Sequence, residues 1–336
     1  MNLIKNFRLN LKTIATLIIC VVAVSSCSRE IDQLEAISSF QYPVPSLIAA
    51  DISNDATIVA LLSPDELSVW SVKTNKLINN WNLTHFEEHQ YYISLSINKK
   101  FAAIASKNKV TIFNIWTKEI VSTWEIAGFS PLSKITSLKF NENGEQFYIG
   151  MNEGSIVKVD LKLKTKSIFQ IHSSNVNFIE LSDIGEYALT ASVDGSIEYF
   201  NTVTGEILSS FKANTRITSL VLDNRSTHFF YSDALNTHQV INLNNSTVVS
   251  TLNYIERFRY FRKGVFINHG KTLFNSTPKS QLAVWDLKTG KQIQKGSIRS
   301  RSFGSTVLDV ALQDGNDIVT ISSDGIVEAW NTRPHN

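Results

Sequence analysis

Along residues 176–211 the chain alternates short apolar runs with small polar breaks. Val176 to Leu181 reads as a strand, Asp183-Ile184-Gly185 as a turn, and Tyr187 to Ser192 as a second strand closed by Asp194-Gly195. Ile197 to Phe200 is a third strand, and Thr204-Gly205 turns the chain into a fourth, Ile207 to Phe211. β-Branched and aromatic residues fill the runs, and Gly, Asn and Asp fill the breaks. That is the composition of short antiparallel strands joined by tight turns. No strong helical period occurs outside the N-terminal segment.

The unit repeats. Leu67-Ser68-Val69-Trp70-Ser71-Val72-Lys73-Thr74 returns as Val110-Thr111-Ile112-Phe113-Asn114-Ile115-Trp116-Thr117, and again as Val284-Trp285-Asp286-Leu287-Lys288-Thr289. Marker residues fall at Trp70, Phe113, Val159, Phe200, Ile241, Trp285 and Trp330, with spacings of 43, 46, 41, 41, 44 and 45. A period near 40–45 residues, with four short strands in each, predicts an all-β, seven-bladed propeller. Trp70, Trp285 and Trp330 are assigned to its core. The last unit ends at Asn336 with no room for a fourth strand. Glu35-Ala36-Ile37-Ser38-Ser39-Phe40-Gln41 reads like the fourth strand Glu206-Ile207-Leu208-Ser209-Ser210-Phe211-Lys212. Residues 35–41 are therefore expected to complete the last blade and close the ring, leaving no unpaired edges within it.

These units resemble the WD40 repeat family across nearly the whole mature chain. Val284-Trp285-Asp286 carries the one literal Trp-Asp pair, and Val193-Asp194-Gly195 and Ser323-Asp324-Gly325 match the family's turn between second and third strands. The resemblance implies that His172, Ser192 and Asp194 form most of a buried hydrogen-bond network, incomplete because Phe200 replaces the Trp.

The N-terminus is of another kind. Lys5, Arg8 and Lys12 precede an apolar run from Ile14 to Val24, too short to span a bilayer comfortably. With Ser25 and Ser26 after it, this reads as a secretory signal peptide. Val24-Ser25-Ser26-Cys27 resembles a bacterial lipoprotein processing site, which implies cleavage before Cys27 and lipidation of its thiol. The expected layout is a cleaved signal at 1–26, a lipidated tether at 27–34 and the propeller at 35–336. Cys20 and Cys27 are the only cysteines. The mature chain then holds one, at its first position, with no internal disulfide. The tether Ser28 to Leu34 spans at most ~25 Å. Ser28, where an Asp implies inner-membrane retention, points to the outer membrane with the ring facing the periplasm.

Composition adds exclusions. The chain has 336 residues, 43% hydrophobic and 18% charged, enough for a sizeable core. Without residues 1–26 it carries 29 basic and 30 acidic residues, which gives no reason to expect nucleic acid. His85-Phe86-Glu87-Glu88-His89 matches an inverted zinc-protease motif, but that chemistry needs both His on one helix. Here the motif falls between two strands and reads as a solvated loop. No nucleophile elbow and no phosphate loop occurs. No metal or cofactor is expected, nor catalysis. The expectation is a monomeric propeller that binds envelope proteins of unspecified identity. The alternatives are a propeller enzyme or a small-ligand binder with its site in the central channel.

Two segments suit partner contact. Arg257-Phe258-Arg259-Tyr260-Phe261-Arg262-Lys263 mixes basic and aromatic side chains, and Arg299-Ser300-Arg301-Ser302-Phe303 occupies the same connection one blade later. Such residues carry much interface energy. Arg257, Arg259, Tyr260, Arg262, Arg299 and Arg301 are the candidate partner-binding residues. The alternative is that the aromatics pack between blades and the arginines are solvated. Trp116, in a turn on the opposite face, is expected to fold over its own blade.

Overall fold

The protein is described by a computed structural model over residues 31–141, 143–183, 185–254, 260–313 and 317–333. The signal peptide expected at 1–26, Cys27 and the basic residues Arg257 and Arg259 lie outside the described residues. The ring belongs to a compact unit that begins at Gln33, two residues before the expected start.

Seven antiparallel sheets make the blades of a seven-bladed β-propeller. The fourth comprises Val176–Leu181, Tyr187–Ser192, Ser196–Asn201 and Ile207–Lys212, in that order from the channel outward. These bounds differ from the sequence reading by one residue at most. The markers all fall in third strands, and Phe113, Val159, Phe200, Ile241, Trp285 and Trp330 are buried. Trp70 is only half-buried, because it sits at a seam against Tyr42, with ring centroids 5.0 Å apart.

The core lies between blades. Ile58–Leu62 is buried at every position, since both faces of a second strand pack against a neighbouring sheet. One apolar cluster joins Ala60, Leu62, Leu67 and Val69 of the first blade to Leu95, Ala102, Ile104 and Phe113 of the second. Fourth strands show the opposite pattern. Ile207–Lys212 is largely exposed, because nothing covers its outer edge.

Closure follows the expected route. Ala36–Gln41 pairs antiparallel with Ile326–Asn331, matching Ala36 to Trp330 and Gln41 to Ile326. The register shift between Ala36 and Ser38 repeats those beside Phe200 and Trp285 at the same point of other blades. The seam with the first blade is filled by Tyr42, Val59, Leu61, Val319, Ile321 and Val327.

The tether departs from expectation at its end. Asp32–Gln33 forms a fifth strand beside Lys291–Ser297 of the sixth blade. Leu34 donates its N–H to the Lys295 carbonyl at 2.7 Å and is buried among Phe274, Val284 and Trp330. An apolar side chain next to an open strand edge gains both burial and pairing there. Gly296 leaves the room: a Cβ at that residue would meet the Leu34 carbonyl oxygen at 2.6 Å.

Trp330 ties the closing pair to the core. Its indole N–H donates to Thr320 Oγ1 at 2.9 Å, both groups being buried. We expect Trp330→Ala to destabilise the ring by about 3–5 kcal/mol. Trp330→Phe keeps most of the packing and loses the bond to Thr320, at about 1–3 kcal/mol. Urea denaturation of the two variants checks the order.

Candidate interaction face and central channel

Each blade sends two kinds of loop to one face of the ring: the connection from the preceding blade and the turn between its second and third strands. Backbone bonds join the two, as in Val193 N–H to the Asn175 carbonyl and Ser323 N–H to the Thr306 carbonyl. A turn carboxylate placed just before a glycine then clamps the incoming connection. Glu153 accepts the Phe129 N–H at 3.2 Å and the Ser155 hydroxyl at 2.8 Å. Asp194 accepts the Ser173 hydroxyl at 2.9 Å and the Ser196 N–H at 2.7 Å. Asp324 accepts the N–H groups of Arg301 (2.6 Å) and Ser302 (3.2 Å) and the hydroxyls of Ser302 and Ser305. Burial opposes ionisation of Asp324, but those donors outweigh it and hold the carboxyl at about 2. The close approach explains Gly128, where a Cβ would meet Glu153 Oε1 at 1.9 Å.

The clamped loops carry apolar tips. Phe129 (60% exposed) and Leu132 (78%) project from the connection into the third blade, and Phe303 is fully exposed on the connection into the seventh. Leu235 and Val193 are exposed on turns of the fifth and fourth blades. Phe303 ends a segment expected to suit partner contact; the other four are not among the partner-contact residues the sequence points to. The signal was present, as apolar residues inside turn-rich loops, but an exposed Leu and a buried one look alike in a sequence.

Arg299 and Arg301 have exposed side chains; their backbone N–H groups are held by Glu328 and Asp324. Arg262 reaches across to Thr306 at 3.2 Å, and Lys263 pairs with Asp309 at 3.3 Å. The end of the first basic segment therefore lies beside the residues that follow the second. Tyr260 is half-buried. Phe261 is fully buried against His238 and Trp285, with centroids at 4.9 and 5.8 Å, so it packs into the core.

The network expected around His172 has different members. His172 Nδ1 meets Ser196 Oγ at 2.6 Å and Nε2 meets Thr190 Oγ1 at 2.8 Å, not Ser192 and Asp194. Ser192 is occupied by the Asp194 N–H, and the Asp194 carboxylate by Ser173 and Ser196. Thr190 is free to take the imidazole because Phe200 brings no indole N–H. At the matching place in the seventh blade, Thr320 takes the Trp330 indole. Burial pushes His172 down to about 4, and His238, bonded to Ser232 at 2.9 Å, likewise to about 4.

On the opposite face Trp116 bonds its own blade, donating from Nε1 to the Lys99 carbonyl at 2.9 Å. It nevertheless stays 61% exposed, contrary to the expected burial, since a turn tip offers one edge to cover and not two faces. His85 and His89 lie in a connection without helix or strand. Among the described residues, no three His, Cys, Asp or Glu side chains converge as a metal set.

The innermost strands enclose a channel of about 710 Å³. Their inner edges have no neighbouring strand, and side chains of the preceding blade supply acceptors. Asp51 accepts the Leu95 N–H at 2.6 Å, Ser94 the Phe140 N–H at 3.1 Å and Asp309 the Ile52 N–H at 2.9 Å. Lys139 and Glu180 line the same channel. Burial, with the Asp309 charge added, pushes Asp51 up to about 7. The Glu180 carboxylate holds Lys139 above the usual lysine range, and burial raises Glu180. Sequence reading missed this cluster because its members sit a blade or more apart. Aligning the units on Ser53, Ser96, Asn141 and Ser182 brings Asp51, Ser94, Lys139 and Glu180 to one position.

Two outcomes follow from these groups. His172 and His238 fall from 6.5 in the unfolded chain to about 4 in the fold, so the unfolded chain binds more protons between those values. Their contribution is complete above pH 6.5 and is lost as the pH falls toward 4. We expect His172→Gln to flatten the pH dependence of stability in that window by up to about 1.4 kcal/mol per pH unit, read by urea denaturation. Asp324→Ala leaves the Arg301 and Ser302 N–H groups without acceptors. Hydrogen exchange at those amides is expected to rise about five- to 150-fold, matching a loss of about 1–3 kcal/mol, while the rest of the seventh blade stays protected.

No protein-family model matches the chain, and no curated protein matches it.

Proposed function

We propose that this chain is a bacterial lipoprotein whose propeller, similar to WD40 domains, serves as a non-catalytic protein-interaction platform at the outer membrane, facing the periplasm. The observation that carries this reading is the set of exposed apolar tips on clamped loops of one face, Phe129 and Leu132 foremost. Holding such side chains in place ahead of binding lowers the entropy cost of association. Apolar tips with a polar surround suit a protein contact better than solvent. The anchor reading rests on the basic start, the short apolar run and Cys27. Lipidation there confines the face to the membrane surface and raises the effective concentration of partners in it.

A second reading is favoured by the channel. Lys139 and Glu180 point their charges into a space of about 710 Å³, which suits a small zwitterionic ligand or the substrate of a propeller enzyme.

A photoreactive residue at Leu132, with a control at the exposed Lys73 on the other face, separates the two. A discrete envelope protein captured in living cells from Leu132 alone is the expected result. Capture from neither position counts against the platform and directs attention to ligand screening on the channel.

A further inference from the structure

We infer that the connection between the sixth and seventh blades is a membrane-docking element, in which Phe303 enters the interface of an anionic bilayer while Arg299 and Arg301 meet its headgroups. The inference rests on the proposed anchoring at Cys27. Phe303 is fully exposed, and Gly304 after it, at φ +95°, has no atom within 4 Å of an added Cβ, so the pair forms a free-standing tip. The tip is not loose. Asp324 holds the loop from below through Arg301, Ser302 and Ser305, and Glu328 holds the Arg299 N–H at 3.0 Å. Both arginine side chains remain exposed, and the carboxylate of Asp324 is spent on four donors. Glu328 lies beside Arg299 as a countercharge.

A lone projecting aromatic that follows two cations in its loop needs no matching pocket in a bilayer, whereas a protein partner must supply one. Phe129 and Leu132 differ in this respect. Their connection, residues 126–134, carries one lysine and no arginine, and it lies at the second and third blades. Chain length selects the same place. The Asp32–Gln33 strand and Leu34 are fixed to the sixth blade, and Cys27 lies five residues before Asp32. Five residues span at most ~18 Å, so a lipid on Cys27 keeps the sixth and seventh blades beside the membrane.

The test uses the full chain, purified from membranes and reconstituted in vesicles of phosphatidylglycerol and phosphatidylethanolamine containing radiolabelled lipid. A photoreactive residue replaces Phe303 or, as control, the exposed Leu163 on the other face. Lipid labelling from 303 is expected to exceed that from 163 about tenfold. It should fall about tenfold in Arg299→Ala/Arg301→Ala and in phosphatidylcholine vesicles. Equal labelling from both positions, or labelling indifferent to the arginines and to headgroup charge, overturns the docking. So does capture of a protein and no lipid from 303 in native membranes. The mass of the N-terminal peptide reports separately whether Cys27 is acylated. An acylated Cys27 with no labelling at 303 rejects the docking alone. An unmodified Cys27 rejects the anchor, and the charge dependence at 303 then decides the docking by itself.

Discussion

A propeller blade has two apolar faces, and neither is covered until both neighbours are in place. Every other feature of this protein depends on that mutual coverage, and so on the ring closing. The last blade lacks a fourth strand of its own, and Ala36–Gln41 supplies it from the other end of the chain. Tyr42 follows at once and fills the seam between seventh and first blades, edge-on to Phe40 at 5.3 Å. Leu34, just before, fills the seam between sixth and seventh. The stretch from Leu34 to Tyr42 therefore couples three blades, through contacts that join the two ends of the ring. Folding of such a ring is governed by long-range pairing.

Closure also decides what the loops can do. Because the sheets are fixed against one another, a turn carboxylate in one blade can hold the connection arriving from the preceding blade. Glu153, Asp194 and Asp324 do this with the same geometry, each accepting backbone N–H or hydroxyl donors from a chain segment about twenty residues earlier. The apolar and basic tips are carried on these clamped segments. Rigid display is a property of the clamp, and the tips themselves are free of structural duty.

Inside the ring, polar groups serve the strands first. The inner edges would leave backbone N–H groups bare, and Asp51, Ser94 and Asp309 answer them. Burial of these carboxylates pushes Asp51 up, the nearby Asp309 charge adds to it, and Lys139 and Lys263 offset them. A charged channel thus arises from edge satisfaction, with or without a ligand to occupy it.

The sequence by itself determined the blade number, the strand order within each blade and the closing segment. Those depend on local alternation and on a period that repeats along the chain, as the near-identity of the fourth blade's strands to their expected bounds illustrates. It also identified Asp194 and Asp324 as turn residues, because Asp-Gly turns have a local signature. Tertiary structure alone decided the rest. Whether His172 meets Ser192 or Thr190 depends on where a connection from the preceding blade descends. Whether Phe261 is core and Phe303 bare depends on what lies above each ring, and Leu34 is a seam residue only because blade six offers an open edge. The channel charges come from strands a blade or more apart, brought together by the ring and by nothing local.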